Sequence, residues 1–181
     1  YLCREGAAPF GAIEEGGYHH YATYLKRQIQ VEAEEKVPEG KMAKLLYDMY
    51  QPDCAKYAVE SDVPQIYELL LENFDLQADH IPSEDDLLQI VKEKEVMIYK
   101  IGDKIECFFI YRREGKKLYC AFSYNHASAD ILYSIERRVK EIEYEENGIK
   151  MHYAWFNAEN KKALRRNAWK DTKIRDYIFV K

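Results

Sequence analysis

His126 carries the side chain in this 181-residue sequence that is best suited to acid–base chemistry. A neutral imidazole accepts a proton near neutral pH, which suits the deprotonation of an amine. The residue follows an apolar segment at 117–124 and precedes a short polar stretch at 127–130. A solitary histidine in a loop is more often a solvated surface residue, so the sequence leaves both interpretations open.

The histidines and cysteines do not have the spacing of a metal site. The four cysteines contain no C-x-x-C pair, and Cys107 and Cys120 lie in apolar, strand-like segments. Adjacent residues of a strand face opposite sides, so His19 and His20 would not chelate one ion. We predict no metal cofactor, and we interpret the cysteines as buried, reduced thiols of a cytoplasmic protein.

Composition and charge argue against two classes of partner. The net charge of -5 argues against a nucleic-acid binder, which usually carries a basic field. No apolar run approaches the roughly 18 residues of a membrane span, and no signal-peptide pattern opens the chain. We therefore expect a cytoplasmic protein with no nucleic-acid and no membrane partner. Because Tyr1 is not an initiator methionine, we expect a fragment or a trimmed chain. The expected protein partner is an upstream domain or a second copy of the chain in a homodimer.

Residues 1–52 are predicted to be an N-terminal extension or the tail of an upstream domain. The piece is too small to fold well alone, and the turn-forming sequence Gln51-Pro52-Asp53 is its natural boundary. Its predicted elements are short strands at 1–5, 10–15 and 18–25, a helix-prone charged stretch at 28–36, and a helix at 41–50.

Residues 53–181 are predicted to form one domain, which begins with a short strand and two helices. Apolar residues from Val63 to Phe74 recur at helical spacing after Ser61, a plausible N-cap. Ser83 and Asp86 give the second helix a start that resembles a capping box. These helices should each bury one apolar face.

Three strand-like runs follow, at 95–101, 104–112 and 117–124. Short polar turns between apolar runs predict antiparallel hairpins. A long helix is predicted over 128–147, and Gly148 is suited to its C-terminal end. The helix should be capped by Ser128 and Asp130, with Ile131, Ile135, Val139 and Ile142 on its inner face and Glu143 among the charges of its outer face. The last predicted elements are a strand at 150–156, a short helix at 160–167 and a strand at 177–180.

The order of these elements, β-α-α-β-β-β-α-β-α-β, is similar to that of the GNAT superfamily, the acyl-CoA-dependent N-acyltransferases. The resemblance covers roughly residues 56–181. It is carried by AVESDVPQIYELL (58–70), by GDKIECFFIYRREGKKLYCAFSY (102–124) and by YAWFNAENKKALRRN (153–167), where Asn160 and Ala163 match an Asn and a following Ala of the family. The resemblance implies an α/β (α+β) fold with a mixed sheet, an antiparallel meander and helices on both faces, plus the N-terminal extension.

The resemblance also implies a function, which is transfer of an acyl group from a CoA-type thioester to a small-molecule amine or a peptide. It implies acetyl-CoA or another acyl-CoA as cofactor, and His126 as the catalytic base. In the family the cofactor lies after the fourth strand, against the start of the next helix. The implied cofactor-binding residues are Ser123, Tyr124, Ala127, Ser128, Ala129 and Asn160.

Two departures from the family pattern favour an alternative, a non-catalytic GNAT-like module that binds a small ligand or a partner protein. The segment YNHASADI (124–131) has no glycine, arginine or lysine, and Asp130 places a carboxylate where the pyrophosphate would lie. Many members carry a tyrosine seven residues after the Asn as general acid, and Asn167 occupies that position here. An amide has no proton to donate at a useful pKa. Both hypotheses remain open at this point.

Overall fold

The structure is a computed structural model that describes residues 2–4, 10–164 and 169–181, apart from the side chains of Leu2, Cys3 and Lys162. The chain divides into two compact units. The first unit combines residues 1–29, 75–80 and 153–181, and the second combines residues 30–74 and 81–152.

Helices and strands alternate along most of the chain. The helices are α1 (Phe10–Glu15), α2 (Lys41–Asp48), α3 (Val63–Asn73), α4 (Glu84–Lys92), α5 (Ala129–Asn147) and α6 (Lys161–Leu164), with a 3-10 turn at Glu60–Asp62. The strands are β1 (Leu2–Arg4), β2 (His19–Gln30), β3 (Lys56–Tyr57), β4 (Val96–Ile101), β5 (Lys104–Glu114), β6 (Lys117–Asn125), β7 (Met151–Asn157) and β8 (Lys170–Val180). The predicted fold class, an α/β fold with a mixed sheet, is confirmed.

The second unit contains the predicted antiparallel meander. Its strands follow the order β6-β5-β4-β3, and each pairs antiparallel with its neighbour. Gly102 (φ 60°) and Gly115 (φ 61°) lie in the two hairpin turns. This left-handed backbone conformation is strained for residues with a Cβ, so the glycines allow these turns to be tight.

Both faces of the meander are covered by helices. Side chains alternate along β5, so Phe108 and Ile110 enter one core and Phe109 and Tyr111 enter the other. The first core is completed by α3 and α4 through Ile66, Leu70, Leu87 and Ile90. The second core is completed by α5 through Ile131, Leu132, Ile135 and Val139.

Two of the predicted helix ends are confirmed. The Ser83 hydroxyl accepts a hydrogen bond from the Asp86 amide at 3.2 Å, and Gly148 ends α5 with φ 62°. The prediction of Ser61 as an N-cap is wrong. The 3-10 turn precedes α3, and the Asp62 carboxylate accepts a hydrogen bond from the Val59 amide at 3.0 Å. Asp62, rather than Ser61, therefore caps the start of this turn.

The prediction that Glu143 lies on the outer face of α5 is wrong. Its side chain is fully buried, whereas Ile142 is only half-buried. Position 143 is four residues after Val139 and lies on the same helix face. Its carboxylate accepts hydrogen bonds from the Tyr111 hydroxyl at 2.9 Å and from Arg113 Nε at 2.7 Å. Burial, with the nearby Glu143 carboxylate, raises the pKa of Tyr111, so the hydroxyl stays protonated and continues to donate.

The first unit has the strand order β1-β8-β2, followed by residues 153–157 of β7. Residues 10–15, predicted as a strand, form α1, whose Phe10 ring contacts Tyr177 at 4.8 Å. The helix predicted for 28–36 is also wrong, because β2 continues to Gln30 and Gln28 pairs with Lys170 of β8. Pairing with β8 outweighs the weak helical preference of this charged stretch.

Several predictions extend to residues beyond those described. The predicted strand 1–5 is confirmed over Leu2–Arg4, while Tyr1 and Glu5 lie outside the described residues. The predicted helix 160–167 is observed as Lys161–Leu164, and Asn167 lies outside them as well. The domain boundary near residue 52 remains a prediction. Within the described part of the chain, no helix is long and apolar enough to cross a membrane.

Replacing Ile135 by Asp should unfold much of the protein. Ile135 is 0% exposed, so the change removes about 1.5–3 kcal/mol of apolar burial and leaves a carboxylate without a partner in the core. Ile101→Asp is the matched control, because Ile101 is 61% exposed. Thermal denaturation should show a large fall in Tm for the first variant and little change for the second. An unchanged Tm for Ile135→Asp would contradict the buried position of this helix face.

Replacing Glu143 by Ala should lower the free energy of unfolding by about 3–5 kcal/mol, because Arg113 and Tyr111 lose a buried partner. The exposed Glu145 lies on the same helix, and Glu145→Ala should change stability by about 0.5 kcal/mol or less. Urea titration of both variants measures the difference. Equal stabilities would show that the Glu143 contacts do not stabilise the fold.

Candidate functional site

Six of the seven predicted site residues lie in one stretch of chain, which runs from the end of β6 to the first residue of α5. Ser123 and Tyr124 lie near the end of β6, opposite Phe109 and Phe108 of β5. Both are half-buried, and the Tyr124 ring stacks on Phe108 with 5.3 Å between centroids. Tyr124 therefore belongs to the edge of a core.

The turn itself is held by the start of β5. The backbone amides of His126 and Ala127 donate to the Glu106 carbonyl at 2.8 Å and 3.2 Å. The Asn125 side-chain amide donates to the Ser128 carbonyl at 3.2 Å. These bonds set the course of the chain between the strand and the helix.

The N-terminus of α5 is exposed at Ser128 and Ala129. Ser128 is the N-cap residue by backbone conformation (φ -83°, ψ 163°), but its side chain makes no capping hydrogen bond within the described residues. The predicted N-cap position is therefore confirmed, without a capping bond from the Ser128 side chain to any described residue. The Asp130 carboxylate accepts from Gln51 Nε2 at 3.4 Å. Amides at a helix N-terminus attract anions, and the carboxylate of Asp130 already supplies negative charge there.

The His126 ring is paired with a carboxylate that the sequence analysis did not single out. Its Nδ1 lies 2.7 Å from Oε2 of Glu106, and the other oxygen of Glu106 lies 2.8 Å from Lys104 Nζ. The Glu106 side chain is 11% exposed, whereas that of His126 is 67% exposed. The arrangement presents an accessible imidazole fixed from one side by a largely buried carboxylate.

The charges in this cluster support one another. The ammonium of Lys104, and after it His126, holds the pKa of Glu106 below its usual value. Glu106 in turn raises the pKa of Lys104. Glu106 is therefore ionised at neutral pH, and an ionised carboxylate can only accept hydrogen bonds.

The register of β5 against β6, including one irregularity, brings Glu106 beside His126. The structure pairs Cys107 with Asn125, so the residue before Cys107 lies beside the residue after Asn125. Lys104 and Glu106 are two positions apart on β5, where the pairing with β4 is irregular, and their side chains meet at 2.8 Å. The β5–β6 register shifts by one residue between Ile110 and Tyr111, and an unbroken extension of the predicted hairpin would have placed Ile105 beside His126.

Asn160 belongs to the first unit and has a structural contact. Its side-chain oxygen accepts a hydrogen bond from the Ala163 amide at 3.0 Å, and its carbonyl accepts one from the Leu164 amide at 3.0 Å. Asn160 is thus the N-cap of α6, and it is exposed. Its predicted role in cofactor binding remains a prediction.

The side chain of Arg137, further along α5, already has aromatic and acidic partners. The guanidinium lies 4.0 Å from the Tyr50 ring centroid and 4.6 Å from that of Tyr47. It also pairs with Glu141 at 2.9 Å and with Glu35 at 3.3 Å. These contacts tie α2 to α5 and keep Arg137 from serving as a phosphate ligand. Among the described residues, no group of histidine, cysteine and carboxylate side chains could hold a metal ion.

Solved structures with similar folds include N-acetyltransferases. A GCN5-related N-acetyltransferase from Sphaerobacter thermophilus has a TM-score of 0.63 at 15% identity, covering 96% of this chain and 56% of that chain. A conserved protein of unknown function from Enterococcus faecalis, described as a probable N-acyltransferase, has a TM-score of 0.59 at 16% identity, covering 98% and 44%. A functionally unknown conserved protein from Staphylococcus epidermidis has a TM-score of 0.59 at 8% identity, covering 94% and 65%.

The chain therefore has a GNAT-like α/β fold. At these identities the likeness shows the fold alone. The chain spans 56% of the Sphaerobacter protein and 44% of the Enterococcus protein. No protein-family model and no curated protein matches the sequence.

The Glu106 carboxyl should titrate below the 4.5 of an ordinary glutamate, because Lys104 and His126 stabilise its ionised form. Its contribution to stability is then present above pH 4.5 and is lost as the pH falls through the lowered pKa. NMR titration of the side-chain carboxyl carbon measures this value directly. Lys104→Leu should move the pKa upward, and no change in that variant would contradict the role of Lys104.

Proposed function

We propose that this chain is a divergent GNAT-fold acyltransferase that transfers an acyl group from a pantetheine-type thioester to an amine. The observation that carries the proposal is the exposed His126 imidazole, held by Glu106 at the end of β6. In GNAT-like enzymes the acyl donor lies after the corresponding strand. An imidazole at this place suits a base that receives the proton of an attacking amine.

The chemistry requires one nucleophilic displacement. The amine nitrogen forms a bond to the thioester carbonyl carbon, and the carbon–sulfur bond breaks. His126 takes the proton that leaves the amine, and the thiolate departs and takes a proton from water. Solvent is the proton source in this scheme because Asn167 stands where many members of the family have a tyrosine. Positioning of the two substrates supplies much of the rate enhancement in such reactions.

The donor is expected to be recognised through its acyl and pantetheine parts. The stretch from Tyr124 to Ile131 contains no glycine that would let a phosphate approach the backbone closely, and no arginine or lysine. Asp130 adds a carboxylate beside the first turn of α5. A CoA thioester and a carrier-bound thioester share the pantetheine arm, and both are candidates.

One observation favours a second candidate, a non-catalytic GNAT-like module that binds a small ligand or a partner protein. The exposed N-terminus of α5 carries Asp130 in its first turn, which opposes the binding of a pyrophosphate. A fold can be kept while its chemistry is lost. The kinetic experiment below separates the two candidates.

Thioester-dependent acylation of a panel of primary amines tests the proposal, with release of free thiol and mass of the product as readouts. We expect turnover by the wild type, and we expect His126→Ala to reduce kcat/KM by about 100-fold or more, as for loss of a general base. His80→Ala, which removes another exposed histidine, is the matched control and should retain activity. Absence of turnover with every amine would favour the non-catalytic module.

Acetyl-CoA should bind weakly, with a Kd of about 1 mM or weaker, equivalent to about -4 kcal/mol. Acetyl-pantetheine lacks the nucleotide and the pyrophosphate, and it should bind equally well. Asp130→Asn should tighten acetyl-CoA binding by removing a repulsive charge, whereas Asp103→Asn in the exposed β4–β5 turn should not. Calorimetric titration measures all four cases. A low-micromolar Kd for wild-type acetyl-CoA, about -8 kcal/mol, would show that the β6–α5 connection does bind the pyrophosphate.

A further inference from the structure

Glu106 holds His126 at two points. Its backbone carbonyl accepts the His126 amide at 2.8 Å, and its side-chain Oε2 lies 2.7 Å from the ring Nδ1. The remainder of the imidazole is exposed, with 67% of the side chain accessible. A ring held at its backbone and at one nitrogen by the same residue has its orientation restricted, although few neighbours surround it.

Glu106 is itself restrained. Its Oε1 contacts Lys104 Nζ at 2.8 Å, which leaves Oε2 for the histidine. The side chain is 11% exposed, so little of the carboxylate is open to water. Lys104 also interacts electrostatically with Tyr124 of β6.

We propose that Glu106 is a positioning residue, which keeps the neutral His126 ring in the tautomer that carries its hydrogen on Nδ1. An ionised carboxylate has no hydrogen to donate, so the hydrogen in the contact between Nδ1 and Oε2 belongs to the imidazole. In the neutral ring the other nitrogen, Nε2, then has the free lone pair. A histidine without such a partner prefers the opposite tautomer, with its hydrogen on Nε2.

The consequence for chemistry rests on the proposed function. A base must offer a lone pair to the proton that it takes, and the Glu106 contact supplies that state before any substrate binds. When Nε2 takes the proton, the adjacent carboxylate stabilises the imidazolium. A transient contact at the surface would contribute little to stability and would leave the ring in its preferred Nε2–H form, so the tautomer reports whether the Glu106 contact persists in solution.

Long-range proton–nitrogen NMR correlation of the ¹⁵N-labelled chain at about pH 8.5, where an ordinary histidine is neutral, reports the tautomer without any substrate. Loss of signals in His126→Ala assigns the ring. We expect the Nδ1–H form in the wild type and in Lys104→Leu, which keeps the carboxylate, and the Nε2–H form in Glu106→Leu. A wild-type ring in the Nε2–H form would overturn the proposal, as would an unchanged tautomer in a folded Glu106→Leu protein. The wild-type spectrum alone decides the first point, whether or not that variant folds.

Kinetics separate this inference from the proposed function. In the thioester assay, Glu106→Leu should lower kcat by about 10-fold with little change in KM, because the pair affects proton transfer rather than binding. A wild-type protein with the Nδ1–H form but no acyl transfer would support the positioning role and remove the proposed function. A protein that needs His126 for turnover but has the Nε2–H form would remove the positioning role and leave the proposed function intact.

Discussion

The burial of β5 on both faces is the constraint on which the rest of the second unit depends. Its residues from Ile105 to Tyr111 are all buried, and from Cys107 to Tyr111 they alternate between the core under α5 and the core under α3 and α4. A buried polar group on such a strand needs a partner, and the charged residues of β5 lie toward its two ends, where partners are available. Lys104 and Glu106 lie at one end, and Arg112 and Arg113 lie at the other.

The two ends of β5 use charge differently. At the C-terminal end Arg113 reaches the fully buried Glu143, and Arg112 and Arg113 both approach the carboxylate of Glu95. Burial raises the pKa of Glu95, while the nearby arginines oppose that shift. These contacts join the strand to α5 and to the start of β4. At the N-terminal end the same kind of pairing leaves an exposed imidazole, so the charges there are placed where a solute can reach them.

The fold is shown by the structure, whereas the acyltransferase activity is a proposal that depends on the chemistry of the site. The GNAT-like fold rests on element order, on the two-sided sheet and on likeness to solved structures at 8–16% identity. That fold explains why a turn and a helix N-terminus follow β6. It does not supply the glycines and cations with which a loop of this kind would bind a pyrophosphate. The acyltransferase proposal therefore depends on the His126 and Glu106 pair, which is local chemistry that the fold has not dictated.

Local periodicity in the sequence determined the meander, α3, α4 and α5, because side-chain spacing reports directly which face of an element is buried. It also indicated the turns at Gly102 and Gly115 and the stretch 124–131 that leads from a strand into the next helix. Four features depended on tertiary structure. Pairing with β8 extended β2 through the charged residues to Gln30, and packing on Tyr177 accompanied a helix at Phe10–Glu15. Burial of Glu143 required Tyr111 and Arg113, which lie 32 and 30 positions away in the chain. The partner of His126 was likewise decided by the register of β5 against β6, because a contact across 20 positions depends on strand pairing that no local pattern encodes.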